Sequence, residues 1–447
     1  MEDLIFAPLV LGIGIGIHQV VLRQHSKTFE QKLLNRSFVA HIAACFGLIF
    51  VYRYYYGGGD MLSYHAYGVP ITEALRYDFG EVFPEVWALF VHGDYTLPLE
   101  PVGTGSTGTM QSIAIFLFFV LGNSLFAASL TLTIFSYVAK VLIYRAFKSE
   151  FEESQQERVL FASVLSPTGI VWTCALLKEP VLMVFFGPAF LGLKWLLDGR
   201  RMAGGIALLA VGGGMILLIK PYVLIALALA GGVWMFWART LKAGGNMALK
   251  PIYLVLAIVT VMLGFTVVSS FIPRLSPDQL AESMQLQRRS SALEEGGSNF
   301  YLEGPGAPID EAPQRGLISQ IALMPVALLT ALFRPFIFES FSAMQFLNAI
   351  EMTWLTWMFI QMLRRNGWAQ LVRRITANPA LMFCLVFVVV LALGTGLSTA
   401  NLGTLSRYRA PMMPFFLLLL LILREPEVAV VRKPAAGQEP LRVAARA

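Results

Sequence analysis

Charge is what this chain has least of. Only 14% of its 447 residues are Asp, Glu, Lys or Arg, where an ordinary globular chain carries about 25%, so a soluble domain with a fully solvated surface is excluded. Cysteine is scarce as well. Cys45, Cys174 and Cys384 each stand alone inside an apolar stretch, which removes a disulfide framework and any metal-ligand spacing and leaves three small hydrophobes. The chain opens Met1-Glu2-Asp3, without the basic residues and small-residue cleavage site of a secretory leader, and Leu4 to Leu22 reads as a retained helix. The formal excess of six positive charges is dispersed through short segments between apolar runs. No basic stripe results, and a nucleic-acid partner is excluded with it. The short alternating strands of a membrane β-barrel are absent too.

What is present is hydrocarbon. Hydrophobic residues make up 56% of the chain, and apolar runs near the roughly 20 residues needed to cross a bilayer recur along its length. The expected fold is all-α: a polytopic transmembrane helical bundle with roughly ten spans, plus short re-entrant or amphipathic helices on its outer face. Residues 1–424 read as a single transmembrane domain with long outer loops at 57–110 and 273–316. The Ala/Pro-rich residues 425–447 read as a disordered cytoplasmic tail. The abundant Met and Phe are expected to pack toward lipid.

Lys and Arg beside the spans set orientation. Arg23, Lys27, Lys32 and Arg36 put the segment after the first helix inside and the N-terminus outside, and the second helix, about Phe38 to Tyr55, leads out. The first outer loop carries Asp60, Glu73, Asp78, Glu81, Glu85, Asp94 and Glu100 against Arg76 alone, an acidity that fits an external location. Of the two apolar stretches between Gln111 and Phe147, the first is expected to be a half-helix and the second a crossing. Spans follow at about Phe161–Leu177, Val181–Leu197, Ala203–Ile219, Val223–Trp237 and Ile252–Phe271. Leu317 to Leu332, only 16 residues long and holding Pro325, is expected to dip in and return, because a full crossing would put Arg364, Arg365, Arg373 and Arg374 outside. Spans at about Phe346–Leu363 and Ala380–Leu397, with the last from Pro411 to Leu423, complete the bundle.

This layout brings the unusual polar residues to one face. They are Asp60 with Tyr64 and His65, Lys178 with Glu179, Lys220, Arg334 with Glu339, and Arg407 with Arg409. Several stand beside a proline, which holds a side chain at a helix end or break. Singly, each cation reads equally well as a residue snorkelling to headgroups, and His65 as a hydrogen-bonded surface histidine. As a set, basic groups on an otherwise acidic face suit an amphiphile with a phosphate or diphosphate head, Arg supplying the fork and Lys the point charge. Asp60 follows Tyr54-Tyr55-Tyr56-Gly57-Gly58-Gly59. Three glycines let the backbone approach a ligand closely, or else they form a helix C-cap and turn with Asp60 capping the next helix.

Three features carry a resemblance: the Gly-Gly-Gly-Asp turn in the first long outer loop, the amphipathic stretch after it (about Val69 to Val91), and Arg407-Tyr408-Arg409-Ala410-Pro411-Met412-Met413-Pro414 entering the last helix. Together they resemble the polytopic GT-C glycosyltransferases, which use polyprenyl-phosphate sugars. The segment Ser166-Pro167 through Trp172 to Lys178-Glu179 and the Phe333-Arg334-Pro335-Phe336 box are similar to membrane proteins of bacterial exopolysaccharide clusters. The resemblance implies a transferase in a bacterial inner membrane with its site facing the periplasm or exterior, and Asp60 as the catalytic acid/base. It further implies a polyprenyl-phosphate donor, a glycan or lipid acceptor, and Tyr64, His65, Lys178, Glu179, Lys220, Arg334, Glu339, Arg407 and Arg409 around the substrate. Two departures stand: Asp60 follows the second helix instead of the first, and Met61 occupies the place of the usual paired acid. No cofactor is implied, and dependence on a divalent cation stays open. An O-antigen-type polymerase or ligase, which needs no aspartate base, and a lipid-linked sugar transporter or flippase are the alternatives.

Overall fold

The computed structural model describes residues 2–96, 101–242, 252, 255, 259, 276–293, 299–300, 302, 317–340 and 342–425. The expected span at Ile252–Phe271, most of the second outer loop and the tail from residue 426 on lie outside them. The described residues form helices and no strand beyond one isolated bridge, Asn299 with Asn401.

The chain begins with α1 (Glu2–Arg23) and α2 (Thr28–Phe50), which continues as a π-helical turn, Val51–Tyr56. Next come α3 (Asp60–Tyr77), α4 (Phe79–Val91) and α5 (Gly105–Leu121), a small three-helix cluster around Ile71, Leu75, Val86 and Ile115. α5 does not cross the bundle: its first turn meets Lys178 through Thr107, and Gly122 after its last lies against Phe6, both at the same end. This fits the expected half-helix. The crossing is α6 (Leu125–Phe147), capped by Ser124, whose Oγ accepts from Ala127 N and donates to Asp3.

The expected span at Phe161–Leu177 is not one helix. α7 (Gln156–Leu165) stops at Ser166, α8 (Pro167–Val171) lasts five residues, and the chain runs on irregularly to Leu177 with Ala175 at positive φ. Proline at the first position of α8 removes an N–H and disfavours helix in the residue before it. The buried side chains from Thr173 to Leu177 keep this broken segment inside the protein.

α9 (Lys178–Leu197), α10 (Met202–Ile219) and α11 (Pro221–Lys242) then pack in sequence, followed by α12 (Pro277–Leu293), α13 (Leu317–Phe333) and α14 (Ala343–Arg365). The short amphipathic α15 (Trp368–Ala377), α16 (Pro379–Ser398), α17 (Leu402–Tyr408) and α18 (Met413–Leu423) complete the fold. Seven helices among the described residues are long and apolar enough to cross a membrane: α1, α2, α6, α9, α10, α11 and α16. The α17/α18 pair, bent by 43°, would make an eighth. Among the described residues the count stays below the expected ten or so, partly because α7 and α8 are too short and α14 carries Glu351 and other polar groups along its length.

Contrary to expectation, much of the Phe content faces inward. Phe147, Phe186, Phe190, Trp234, Phe383 and Phe415 interlock where α6, α9, α11, α16 and α18 meet. In lipid, with little hydrophobic drive between helices, close packing is what holds them. At Gly187 a Cβ would sit 2.4 Å from the Ala139 carbonyl oxygen, so α6 and α9 touch backbone to backbone. Leu4, Ile5, Leu9 and Ile13 on α1 stay exposed, as lipid-facing residues should.

Polar groups sort to the two ends. At one, Lys148 pairs with Glu30 (2.6 Å), Lys194 with Glu150 and Asp198 (2.6 and 2.5 Å), and Arg158 with Glu425 (2.7 Å). Arg374 there donates to the carbonyls of Ile422 and Leu423, closing the C-terminus of α18. At the other end, about 25 Å away along α9, lie Asp60, Glu179, Lys220 and Arg407.

Candidate functional site

Asp60 owes its position to three glycines that form a helix C-cap and turn, but Gly59, and not Asp60 as expected, takes the capping position of the next helix. Gly57 (φ 67°) closes the π-helical turn in the left-handed region, and Gly59 (φ 109°) precedes α3, placing Asp60 in its first turn, where the helix dipole favours an anion. Gly58, Gly59 and Asp60 also line an open cavity of about 420 Å³, within the range of small-molecule sites. The Tyr52 ring lies against Gly59, and a Cβ there would meet it at 2.8 Å. Gly59→Ala is therefore expected to displace Tyr52 or Asp60. Left-handed strain of about 1–3 kcal/mol adds to the clash, and a lowered unfolding midpoint together with weakened ligand binding is the measurable result.

Across the cavity, α17 enters from a cap in which the Asn401 side chain accepts from Gly403 N (2.7 Å). It presents Arg407, whose Nη1 donates to Asp60 Oδ2 (2.6 Å) and whose Nε donates to Glu179 Oε2 (2.7 Å). Glu179 is fully buried in the first turn of α9, and its other oxygen takes Lys220 Nζ at 2.7 Å. Lys220, in the break between α10 and α11, also lies 3.8 Å from the centroid of the Tyr408 ring. The result is a row of alternating sign, Asp60, Arg407, Glu179, Lys220, running from the cavity into the protein. Arg407 beside it, helped by Lys178 and Lys220, holds the Asp60 carboxyl below the usual carboxylate range. Asp60 is thus ionised at neutral pH, and with its side chain 45% exposed it is the carboxylate of the row that solvent reaches.

The remaining cavity wall is aromatic and neutral-polar, with Tyr52, Tyr56 and Trp172 beside Ser342, Gln345, Asn401, Thr404 and Ser406. Aromatic faces offer stacking surfaces and the uncharged groups donate and accept hydrogen bonds, a wall compatible with a neutral ring that carries hydroxyl groups.

Of the residues singled out in the sequence, Asp60 and Arg407 line this cavity. Glu179 and Lys220 stand behind them in the charge row, and Tyr64 is buried one turn along α3, its phenol pushed well above the usual range by burial and the nearby Asp60 charge. Lys178 donates to Thr107 Oγ1 at 2.8 Å, tying α9 to α5. His65 turns toward the Asn123 carbonyl (3.0 Å) and packs edge-on to Phe118. Arg334 pairs with Glu339 (2.6 Å) and lies over the Phe300 ring. Arg409 is fully buried, donating to the carbonyls of Ala331 and Arg334 and to Asn348 Oδ1 (2.8 Å). The outer cations are held by several acceptors: Lys220 and Arg407 share Glu179, Lys178 meets Thr107, Arg334 meets Glu339, and Arg409 meets backbone carbonyls and Asn348.

A second polar set lies deeper and was not singled out. Glu351 on α14 accepts from Thr168 N (2.6 Å), Thr168 Oγ1 (2.5 Å) and Ser166 Oγ (3.3 Å) at the break between α7 and α8. On the other side of that break, Lys140 of α6 donates to the Gly169 carbonyl (2.6 Å) and to His41 Nε2 (2.9 Å). Asn348 joins this set to Ser406 at the cavity. The available signal was one ionisable residue inside each of these otherwise span-like helices.

No family model, no curated protein and no solved structure matches this chain.

Proposed function

We propose that the protein is a membrane glycosyltransferase that moves a sugar from a polyprenyl-phosphate-linked donor to a glycan or lipid acceptor. The observation that carries this reading is the half-exposed Asp60 carboxylate, paired with Arg407 in the wall of an open, neutral-polar and aromatic cavity. Asp60 is the general base: it takes the proton of an acceptor hydroxyl as that oxygen bonds to the anomeric carbon and the bond from that carbon to the phosphate oxygen breaks. Arg407 receives the charge gathering on the departing phosphate. Trp172 and Tyr52 are the faces on which a sugar ring stacks, and Gln345, Asn401 and Thr404 meet its hydroxyls. The sidedness inferred from loop charge puts this chemistry on the periplasmic or outer face of a bacterial inner membrane.

The test is reconstitution of the full chain in vesicles with polyprenyl-phosphate sugars. Sugar transferred to an added glycan or lipid acceptor, with release of polyprenyl phosphate, supports the reading. Glycan chains lengthened from polyprenyl-diphosphate donors would instead favour a polymerase or ligase. One observation favours transport: the broken segment at Ser166 and the buried Glu351, Lys140 and His41 around it are the arrangement in which transporters hold their cargo. Labelled lipid appearing in the opposite leaflet without new product would establish that activity in place of transfer.

A further inference from the structure

The charge row contains an asymmetry that bears on the order of events. Arg407 grips two carboxylates at almost equal distance, Asp60 at 2.6 Å and Glu179 at 2.7 Å. Their surroundings differ sharply. The Glu179 side chain is 0% exposed and its second oxygen is held by Lys220, whereas the Asp60 side chain is 45% exposed at the edge of the cavity. Parting the buried pair would strand a charge away from water, a large cost. Parting the half-exposed pair costs little, since solvent or a ligand takes the place of the lost partner. Arg407 is thus anchored through Nε and exchangeable through Nη1. The donor's phosphodiester offers the same guanidinium two oxygens and a full negative charge, matching a carboxylate, and the phosphomonoester that forms as the sugar leaves offers three oxygens and more charge.

We propose that Arg407 is a switch between two anions: in the empty cavity it holds Asp60, and the phosphate of an incoming donor draws the guanidinium away, freeing the carboxylate to serve as base. This inference rests on the phosphate-binding part of the function proposed above. It makes the reaction ordered, donor before acceptor. While Asp60 stays paired, Arg407 also holds down its affinity for a proton, so an acceptor arriving alone meets a weak base. Glu179 and Lys220 are then positioning residues, keeping Arg407 on its pivot in both states.

The switch has a consequence that simple base catalysis lacks: Asp60 and the donor compete for one guanidinium. The test is binding of the methyl ester of polyprenyl phosphate, a phosphodiester like the donor, to the purified full chain in detergent, read by titration calorimetry, with polyprenol as the uncharged control. Removing the competitor in Asp60→Asn is expected to tighten phosphate-lipid binding about three- to tenfold. Asp60→Glu, which keeps a carboxylate, should bind like the native chain, and Arg407→Gln should weaken binding by at least tenfold. If Asp60→Asn fails to fold by its melting curve, Asp60→Ala makes the same comparison. Native and carboxylate-free chains binding the phosphate lipid equally well would overturn the switch and leave the transferase reading standing. Phosphate lipid bound no better than polyprenol by the native chain and by every variant would overturn the phosphate reading, and the switch with it.

Discussion

Asp60→Asn is expected to lower sugar transfer by about 10²–10⁴-fold while leaving the fold in place. Asparagine keeps the shape of aspartate and an oxygen that accepts from Arg407 Nη1, so the 2.6 Å contact loses its charge and keeps a neutral hydrogen bond. What disappears is a group able to take the acceptor proton. Because the donor's phosphate still meets Arg407, with no carboxylate competing for it, the loss should fall on kcat while KM for the donor drops with the tighter binding. The measurement is initial transfer rate in vesicles against donor concentration, with a melting curve of each variant as the check on folding. Near-native transfer by Asp60→Asn would eliminate the base mechanism. It would leave a polymerase or ligase, in which cations do the work and the aspartate only neutralises Arg407.

Glu179→Leu is expected to be the most damaging single change to stability. Glu179 is fully buried and bridges Lys220 and Arg407 at 2.7 Å each, so leucine leaves Lys220 with no anion among its described contacts and Arg407 with Asp60 alone. Stranding a buried charge in this way costs about 3–5 kcal/mol. For a protein of many helices the cost is read as a drop in the unfolding midpoint, since a single two-state free energy is not defined. Lys220→Met should cost less, because Glu179 keeps Arg407. The double variant Glu179→Leu with Lys220→Met should recover part of the loss, removing both members of the buried ion pair in place of orphaning Lys220. A Glu179→Leu midpoint equal to that of the native chain would mean that the row does not hold this end of the bundle together.

Several features of the protein were readable residue by residue. The glycine run before Asp60 announced a turn with backbone in the left-handed region, and Gly57 and Gly59 adopt it. Loop charge separated Lys27 and Arg374 from Asp60, Lys178, Lys220 and Arg407, and these two groups do occupy opposite ends. Ser166-Pro167 has the pattern of a cap followed by a helix start, but it went unread because the apolar residues around it read as one continuous span. Hydropathy sums over a window and cannot register a break that keeps the same composition. Polar residues inside α2, α6 and α14 were diluted by their neighbours in the same way, so His41, Lys140 and Glu351 passed as parts of ordinary spans.

The outer cations show where such reading stops. Counted along the chain, they looked like an excess awaiting an anionic ligand. In space Lys220 and Arg407 find Glu179, and Arg407 also finds Asp60 across 347 positions. By itself, the amino-acid sequence determined that this chain belongs in a membrane, that it is helical, and which polar segments share an end, because transfer into lipid is an additive property of composition within each segment. Only the tertiary structure decided which charges neutralise one another and that Asp60 alone among the row's carboxylates is left open to the cavity. A partner across a helix bundle is chosen by the rotation and depth of each helix, and those are set by side-chain packing between segments distant in the chain.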